Sequence, residues 1–363
     1  MEMNGTARGA LWTVLALVMF FIADCLIFRP GWYNRYLEPD SSAGSLEAQL
    51  HWLKDSPAPK VPEALVIGDS RIAEGFSART ANSATGQRLN FWNFGLGGTT
   101  PRVWYYTLRD ADPTRRRFAA IAIALDNYSD ADWFAEFEDR ATDQNYLVMR
   151  LGLGDCFDFA MSMHTMAARH HALFGCLFRG MILRNDVQTF LSHPEARITH
   201  ATDWLKNGLG YISGYGGMTQ NLNGLSVNWS NRSIQFPDGV SEATRANVAK
   251  FVLREPVPQT GEVARYRWRW LGGILDLYQD SPTRLIFLQL PRAPLIEPNA
   301  KNTPGFVDSA AKTPHVTVLP ASAFADLEHP EFFADGLHLN RDGRLLFSER
   351  LARQLDAALG GVH

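Results

Sequence analysis

Two short stretches of this 363-residue sequence carry side chains suited to covalent acyl chemistry. Gly68-Asp69-Ser70-Arg71 directly follows the apolar run Glu63 to Ile67, so the glycine permits a sharp turn and Ser70 is left at the head of a helix beginning near Arg71. A helix N-terminus there offers backbone donors to a developing oxyanion. Asp335-Gly336-Leu337-His338 sets a carboxylate three residues before an imidazole. On a loop, that spacing lets the carboxylate orient the ring while the other ring nitrogen faces a serine.

Two further stretches can assist. Asn93 through Thr100 is a glycine-rich turn ending at Pro101, which can start a helix. Such a turn lets backbone approach a substrate closely. It lacks the Gly-Lys-Ser/Thr ending of a phosphate loop and the spacing of a dinucleotide fingerprint. Asp126-Asn127 closes the run Phe118 to Leu125, and an amide there can donate to an oxyanion or simply form an Asx turn. Ser70 is not in a G-x-S-x-G elbow, because Glu74 and Gly75 come too late.

These residues need elements to hold them. Glu63 to Ile67, Arg88 to Phe94, Phe118 to Leu125, Arg284 to Leu290 and His315 to Leu319 are short apolar runs bounded by turn signals, as buried parallel strands are. Helices are predicted over Pro101 to Asp110, Ala131 to Arg150, Phe157 to Leu191 in pieces, Glu262 to Gln279 and Arg341 to Leu359. The alternation predicts an α/β fold, a doubly wound parallel sheet covered on both faces, with ligand at the carboxyl ends of the strands. Residues 185–257 interrupt it with many Gly and Asn and scattered aromatics, and are predicted to be an irregular insertion. Trp204, Tyr211, Tyr215 and Trp229 there are candidates for stacking on sugar rings, or for packing the insertion itself.

The N-terminus is different in kind. Ala10 to Phe28 is interrupted only by Thr13 and Asp24 and reaches about 28 Å as a helix. It ends in Leu-Ile-Phe-Arg-Pro without small residues before a cut site, so an uncleaved anchor is expected over residues 1–30. Asp24 in such a run needs an interfacial position or a polar partner on another membrane protein. Residues 31–62 are rich in Pro, Ser and charge, with one short helical stretch around Ser45 to Lys54, and are predicted to be a connector. The remainder, 63–363, is then one catalytic domain carrying the insertion.

Net charge is −3, hydrophobic residues make up 46% and charged residues 20%. This supports a real core and gives no field for nucleic acid. The basic Arg115 to Arg117 is expected to be a solvated loop. Cys156 and Cys176 are expected as two buried thiols, with one bridge as the alternative in an oxidising compartment. No Cys/His spacing resembles a zinc site, and neither metal nor cofactor is expected. His164, His170 and His171 are expected in the core or at the surface, since adjacent helical positions point to different faces.

Taken in chain order, Gly68-Asp69-Ser70, Asn93 through Thr100, Asp126-Asn127 and Asp335 through His338 resemble the blocks of the SGNH, or GDSL-type, hydrolase family. The resemblance covers about residue 63 to the end, without the insertion. It implies a three-layer, flavodoxin-like sheet, with Ser70 as nucleophile and His338 as base held by Asp335. It also implies an oxyanion hole of Ser70, Gly98 and Asn127. The third block has Leu125 and Asp126 where family members often carry a glycine. With its anchor, the chain looks like single-pass SGNH-type proteins that work beside membrane-bound O-acyltransferases on cell-surface polysaccharides. The expectation is therefore an exported serine O-acyltransferase or esterase. It would act on a glycan or acylated polymer, single-pass in the inner or cytoplasmic membrane, with its catalytic domain in the periplasm or extracellular space. The alternative is a non-catalytic scaffold on the same fold, binding glycan or assembling a modification complex.

Overall fold

The computed structural model describes residues 5–57, 59–130, 139–254, 261–297 and 305–360. The chain divides into two compact units, Met1–Asp55 with Glu138–Leu209, and Ser56–Phe137 with Gly210–His363.

The second unit holds the sheet. Its strands, in chain order, are β1 (Glu63–Gly68), β2 (Asn90–Gly95), β3 (Phe118–Leu125), β4 (Ser226–Asn228), β5 (Ser233–Gln235), β6 (Arg284–Gln289) and β7 (Val316–Val318). Five form one parallel sheet in the order β2-β1-β3-β6-β7, and β4 with β5 makes a separate antiparallel pair. Counting the sheet strands alone, the order is 2-1-3-4-5, a doubly wound arrangement whose direction reverses between β1 and β3. Ligands of such sheets sit beyond the carboxyl ends of the strands at that reversal, where the chain continues into Ser70 and Asn127.

The apolar runs become strands because both faces are covered. Successive side chains point to opposite faces. Ala64, Val66, Ala120, Ala122, Ala124, Ile286 and Leu288 share one core cluster with Phe347, Leu351 and Leu355 of the C-terminal helix Arg341–Ala358. The alternate residues Leu65, Ile67, Ile121, Ile123, Leu285 and Phe287 are buried as well. Phe287 meets Phe306, whose helix Phe306–Ala310 packs with helix Gly261–Leu277, which packs in turn with Pro101–Ala111. Helices thus cover each face, as the alternation of elements predicts.

The first unit is helical. It contains Gly5–Phe28, the 3-10 turn Trp32–Tyr36, Ser42–Asp55, and a series of helices from Ala141–Leu147 to Pro194–Gly214. Its small core joins Phe28, Tyr33, Leu37 and Ala43 to Val148, Met149 and Leu183. Buried polar contacts reinforce it. The Tyr33 hydroxyl donates to Asp186 at 2.8 Å, and Arg197 reaches both Asp186 and Glu38, at 2.8 and 3.0 Å.

The unit boundaries differ from those read in the sequence. Within residues 31–55, predicted to be connector, the helix expected around Ser45 to Lys54 is present as Ser42–Asp55, and the segment is part of a compact unit because that helix carries Leu46, Ala48, Trp52 and Leu53 on a face that becomes buried. Residues 185–209 of the predicted insertion belong to this helical unit, and its described residues 210–254 to the sheet unit, with β4, β5 and helix Glu242–Val252. Residues 131–138 of the helix predicted over Ala131 to Arg150 lie outside the described residues, and its described part is helical at Ala141–Leu147.

The helix Gly9–Phe28, with a mean hydropathy of 2.4, is long and apolar enough to cross a membrane. Asp24 finds its partner within the same chain: its carboxylate accepts from the backbone amides of Arg179 and Gly180.

Cys156 and Cys176 are joined in a disulfide, which corrects the expectation of two free thiols; Cys25 is unpaired. Helices Asp155–Met161 and Met166–Leu177 pack together and bring the two Cα atoms to 5.4 Å, within the usual range for a bridge. Closing a loop of this 20-residue separation stabilises by about 3 kcal/mol. Denatured full-length protein, isolated without reductant, should therefore expose one alkylatable thiol per chain, Cys25. Three modified cysteines by intact-mass measurement would show that no bridge forms.

Candidate active site

The helix Ser70–Gly75, which carries the candidate nucleophile, starts immediately beyond β1. Asp69 caps it: its carboxylate accepts from Arg71 N at 2.9 Å, a contact that stabilises a helix by about 1 kcal/mol. The same carboxylate grips the Arg71 side chain, with Nη2 to Oδ2 at 2.7 Å. Burial opposes the charge on Asp69, but Arg71 and, more weakly, His338 hold its pKa below the ordinary carboxylate value. Burial likewise opposes the charge on Arg71, and Asp69 and Asp126 outweigh it.

Position of this helix is set by the second block. Asn93, in β2, donates its amide to Ile72 O, Ala73 O and Phe76 O at 3.0, 3.3 and 2.8 Å, and accepts from Gly95 N at 2.8 Å. One side chain thereby ties off the carbonyls at the end of the nucleophile helix. Gly95 lies directly against it: a Cβ there would come within 2.1 Å of Ala73 N. Gly98 adopts a left-handed φ of 71°, which glycine permits at low cost. A Cβ on the neighbouring Gly97 would stand 3.9 Å from Ser70 Cβ, so the turn passes close to the serine.

The third component comes from the C-terminal loop. Ala334 N donates to His338 O at 2.9 Å and Asn340 N to Phe332 O at 2.8 Å, pinching residues 335–338 into a tight loop. Asn340 caps the helix Arg341–Ala358. Gly336 N donates to Asn247 Oδ1 at 2.8 Å, and a Cβ on Gly336 would meet Asn247 O and Val248 Cα at 2.8 Å. Helix Glu242–Val252 therefore braces this loop.

Ser70, His338 and Asp335 meet here. His338 Nε2 lies 2.9 Å from Ser70 Oγ, and His338 Nδ1 lies 2.9 Å from Asp335 Oδ2. Asp335 Oδ1 also accepts from Leu337 N and His338 N at 2.7 Å each. Burial acts to raise the Asp335 pKa, but the His338 bond and these amides carry it below the ordinary value. An ionised Asp335 can only accept, so Nδ1 of a neutral His338 donates to it and Nε2 accepts from the Ser70 hydroxyl. Burial acts to lower the His338 pKa; Asp335, then Asp69 and Glu74, overcome it and raise the pKa above the ordinary histidine value. The side chains of His338 and Asp335 remain 18% and 22% exposed, so the site opens to solvent.

The remaining predicted residues divide. Asn127, at the end of β3, is buried; its amide donates to Asp126 Oδ2 at 3.1 Å and its carbonyl accepts from Ser129 Oγ at 2.9 Å. Arg267, from helix Gly261–Leu277, holds this corner through Ser129 O, Asn127 O and Asp126. Tyr215 adjoins the site: its hydroxyl bonds to Glu74, one turn beyond Ser70, and Arg344 lies over its ring at 5.0 Å. Burial first and Glu74 second push its pKa up to about 12. Trp204 packs on Trp52 in the helical unit, Trp229 packs against the core of the sheet unit, and Tyr211 is exposed on helix Pro194–Gly214.

Glu74, Arg344, Asn247 and Arg267 went unnoticed in the sequence, since no local pattern marks a residue whose role is set by a distant partner. Asn93 and Asp69 lie inside blocks that were singled out, and their capping roles were readable only once the helix was placed. One set of metal-ligating types, Glu38, Asp40 and His200, gathers among the described residues. Its Glu38 carboxylate is engaged by Arg197 at 3.0 Å and His200 at 3.1 Å.

No protein-family model matches this sequence, and no curated protein matches it either.

Gly95→Ala should force the nucleophile helix away from β2 and cost on the order of 3 kcal/mol by urea unfolding; wild-type stability would contradict the tight contact. The His338 imidazole, followed by NMR, should titrate above the ordinary histidine value. In Asp335→Asn the charged ring loses its main stabilising partner, so the midpoint should fall. An unmoved midpoint would deny the coupling.

Proposed function

We propose that this chain is a membrane-anchored serine esterase or O-acyltransferase of the SGNH type, acting through an acyl-enzyme on a cell-surface glycan. The observation that carries the proposal is the continuous bond chain Ser70–His338–Asp335, with both links at 2.9 Å. A scaffold that had given up catalysis would not need this chain assembled.

In this mechanism Ser70 Oγ attacks an acyl carbonyl while its proton passes to His338 Nε2. Asp335 stabilises the resulting imidazolium and fixes its orientation. The Ser70 amide, in the first turn of its helix, the Gly98 amide and the Asn127 side chain form the oxyanion hole. An amide nitrogen carries two hydrogens, so Asn127 can serve Asp126 and the oxyanion together. Collapse of the tetrahedral intermediate releases the leaving group, protonated by His338. A sugar hydroxyl or water, deprotonated by His338, then attacks the acyl-serine and frees the enzyme.

The apolar helix Gly9–Phe28 supports a single-pass anchor in the cytoplasmic membrane. The Cys156–Cys176 bridge supports a location outside the cytoplasm, where disulfides persist. Together they favour a polymer substrate at the cell surface, with a membrane-bound O-acyltransferase as acyl source. Tyr215, beside Glu74 at the site, is the residue of the aromatic set best placed to meet a sugar ring.

Full-length protein in detergent should hydrolyse a chromogenic acetyl ester, and Ser70→Ala should lower kcat by about a thousandfold or more. Mass spectrometry after a short incubation should find the acyl group on Ser70. Equal turnover by the Ser70→Ala protein would remove Ser70 from the mechanism.

A further inference from the structure

Asp24 interrupts an apolar helix, yet it is only 3% exposed. Its carboxylate accepts from Arg179 N at 3.0 Å and Gly180 N at 2.6 Å, the first amides of helix Arg179–Ile182. Arg179 Nη1 returns a bond to Phe28 O at 2.8 Å, and Arg29 Nη2 donates to Cys176 O at 2.8 Å. Higher up the same helix, the Phe178 ring stacks on Phe20 at 5.6 Å and meets Phe21 edge-on at 5.7 Å. At about 1.5 Å per residue, Phe20 lies about 12 Å inside the end of the apolar run at Phe28. Residues 176–180 therefore lie alongside the C-terminal half of the apolar helix, not beyond its end.

The surface around this contact is apolar in an unusual degree. Leu153, Phe157, Met161, Met166, Phe174 and Met181 are all exposed, Phe157 by 70% and Met166 by 60%. They occupy helices Asp155–Met161, Met166–Leu177 and Arg179–Ile182 and the turn before them, and the Cys156–Cys176 disulfide ties the first two helices together. So many large apolar side chains on one short stretch mark an interaction surface. Asp158, His164, His170 and His171 are exposed among them. That mixture suits the boundary between headgroups and acyl chains, where a helix buries its apolar side chains about 5–10 Å deep.

We infer that the disulfide-tied helices 155–182 are seated in the bilayer beside the apolar helix, their exposed Phe, Met and Leu side chains entering the headgroup and acyl boundary. The occupant of this face is lipid. The Phe20–Phe178 contact argues for it: once the apolar helix spans the membrane, what packs against its C-terminal half shares its depth. The inference thus rests on the anchor proposed above, and adds a second, monotopic attachment.

The test uses the full-length chain, with Cys25→Ser, in nanodiscs containing a spin-labelled phospholipid that quenches bimane. Reporters are placed by Met161→Cys, Met166→Cys and Met181→Cys. Leu17→Cys serves as the control for the anchor, and Lys312→Cys as the control for water. The three helix reporters should be quenched together with Leu17→Cys, while Lys312→Cys stays bright. If Leu17→Cys is quenched and the three remain as bright as Lys312→Cys, the anchor stands and the seat is overturned. If Leu17→Cys is bright, anchor and seat fail together. Shielding of the three reporters from a water-soluble quencher only when a second, polytopic protein co-purifies would give this face to a protein and overturn the lipid seat. Photolabelling of the unsubstituted protein with a diazirine lipid, independent of any variant, should mark peptides within 153–182; labelling confined to the apolar helix would also overturn it.

Discussion

Ser70 and His338 stand 268 positions apart and 2.9 Å from each other. That bond is possible only because the C-terminal helix is fastened to the nucleophile helix. Arg344 Nη2 donates to Phe76 O at 3.1 Å, and Ser77 N donates to Ser348 Oγ at 2.8 Å. Arg88 pairs with Asp356 further along the same helix. A histidine must lie within hydrogen-bond reach of its nucleophile to act as base. The fold brings the two within that reach by clamping the helices that flank them. The β strands contribute from below: the parallel register aligns Gly68 with Gly95, so the turn after β2 and the serine after β1 emerge at the same edge.

Charge around the imidazole follows the same economy. Three carboxylates, Asp335, Asp69 and Glu74, raise the His338 pKa, but they are not equivalent. Asp335 bonds to the ring directly. Asp69 spends its charge on Arg71, and Glu74 accepts from the Tyr215 hydroxyl. A lone carboxylate at each place would stabilise imidazolium more strongly and leave less neutral base near neutral pH. Pairing two of the three moderates the rise in the His338 pKa, while the serine helix gains its cap and the loop at Tyr215 its hold.

The triad and the strands were legible because their signals are local. Phe118 to Leu125 was read to the residue, and the other strands within a few residues, since an apolar run between turn residues fixes a buried strand without knowledge of its neighbours. The loop Asp335 to His338 is equally self-contained. What escaped depended on contacts between segments distant in sequence. Cys156 and Cys176 have no spacing that announces a bridge; only the packing of two helices brings them together. Residues 31–55 have the composition of a connector around one short helix, and the burial of that helix follows from contacts with residues after 138, as where Trp52 Nε1 donates to Leu205 O. The four aromatics were chosen by type alone, and type does not distinguish Trp204, packed on Trp52, from Tyr215 beside the nucleophile helix.

Asp24 carries the most general lesson about the apolar helix. An aspartate within an apolar helix is costly unless it is paired, so a simple tether has no use for one. Here the carboxylate caps Arg179–Ile182, and the arginine of that helix answers by binding Phe28 O and Leu151 O. The exchange supplies partners to a helix start, a helix end and both terminal nitrogens of a buried guanidinium at once. Cutting the chain after Phe28 would leave those amides without the carboxylate, deprive the guanidinium of Phe28 O, and remove Phe28 from the small core it shares with Tyr33 and Leu183. The C-terminal end of the apolar helix is therefore tied into the helical unit, through the buried Asp24 and Phe28, while most of its length stays exposed.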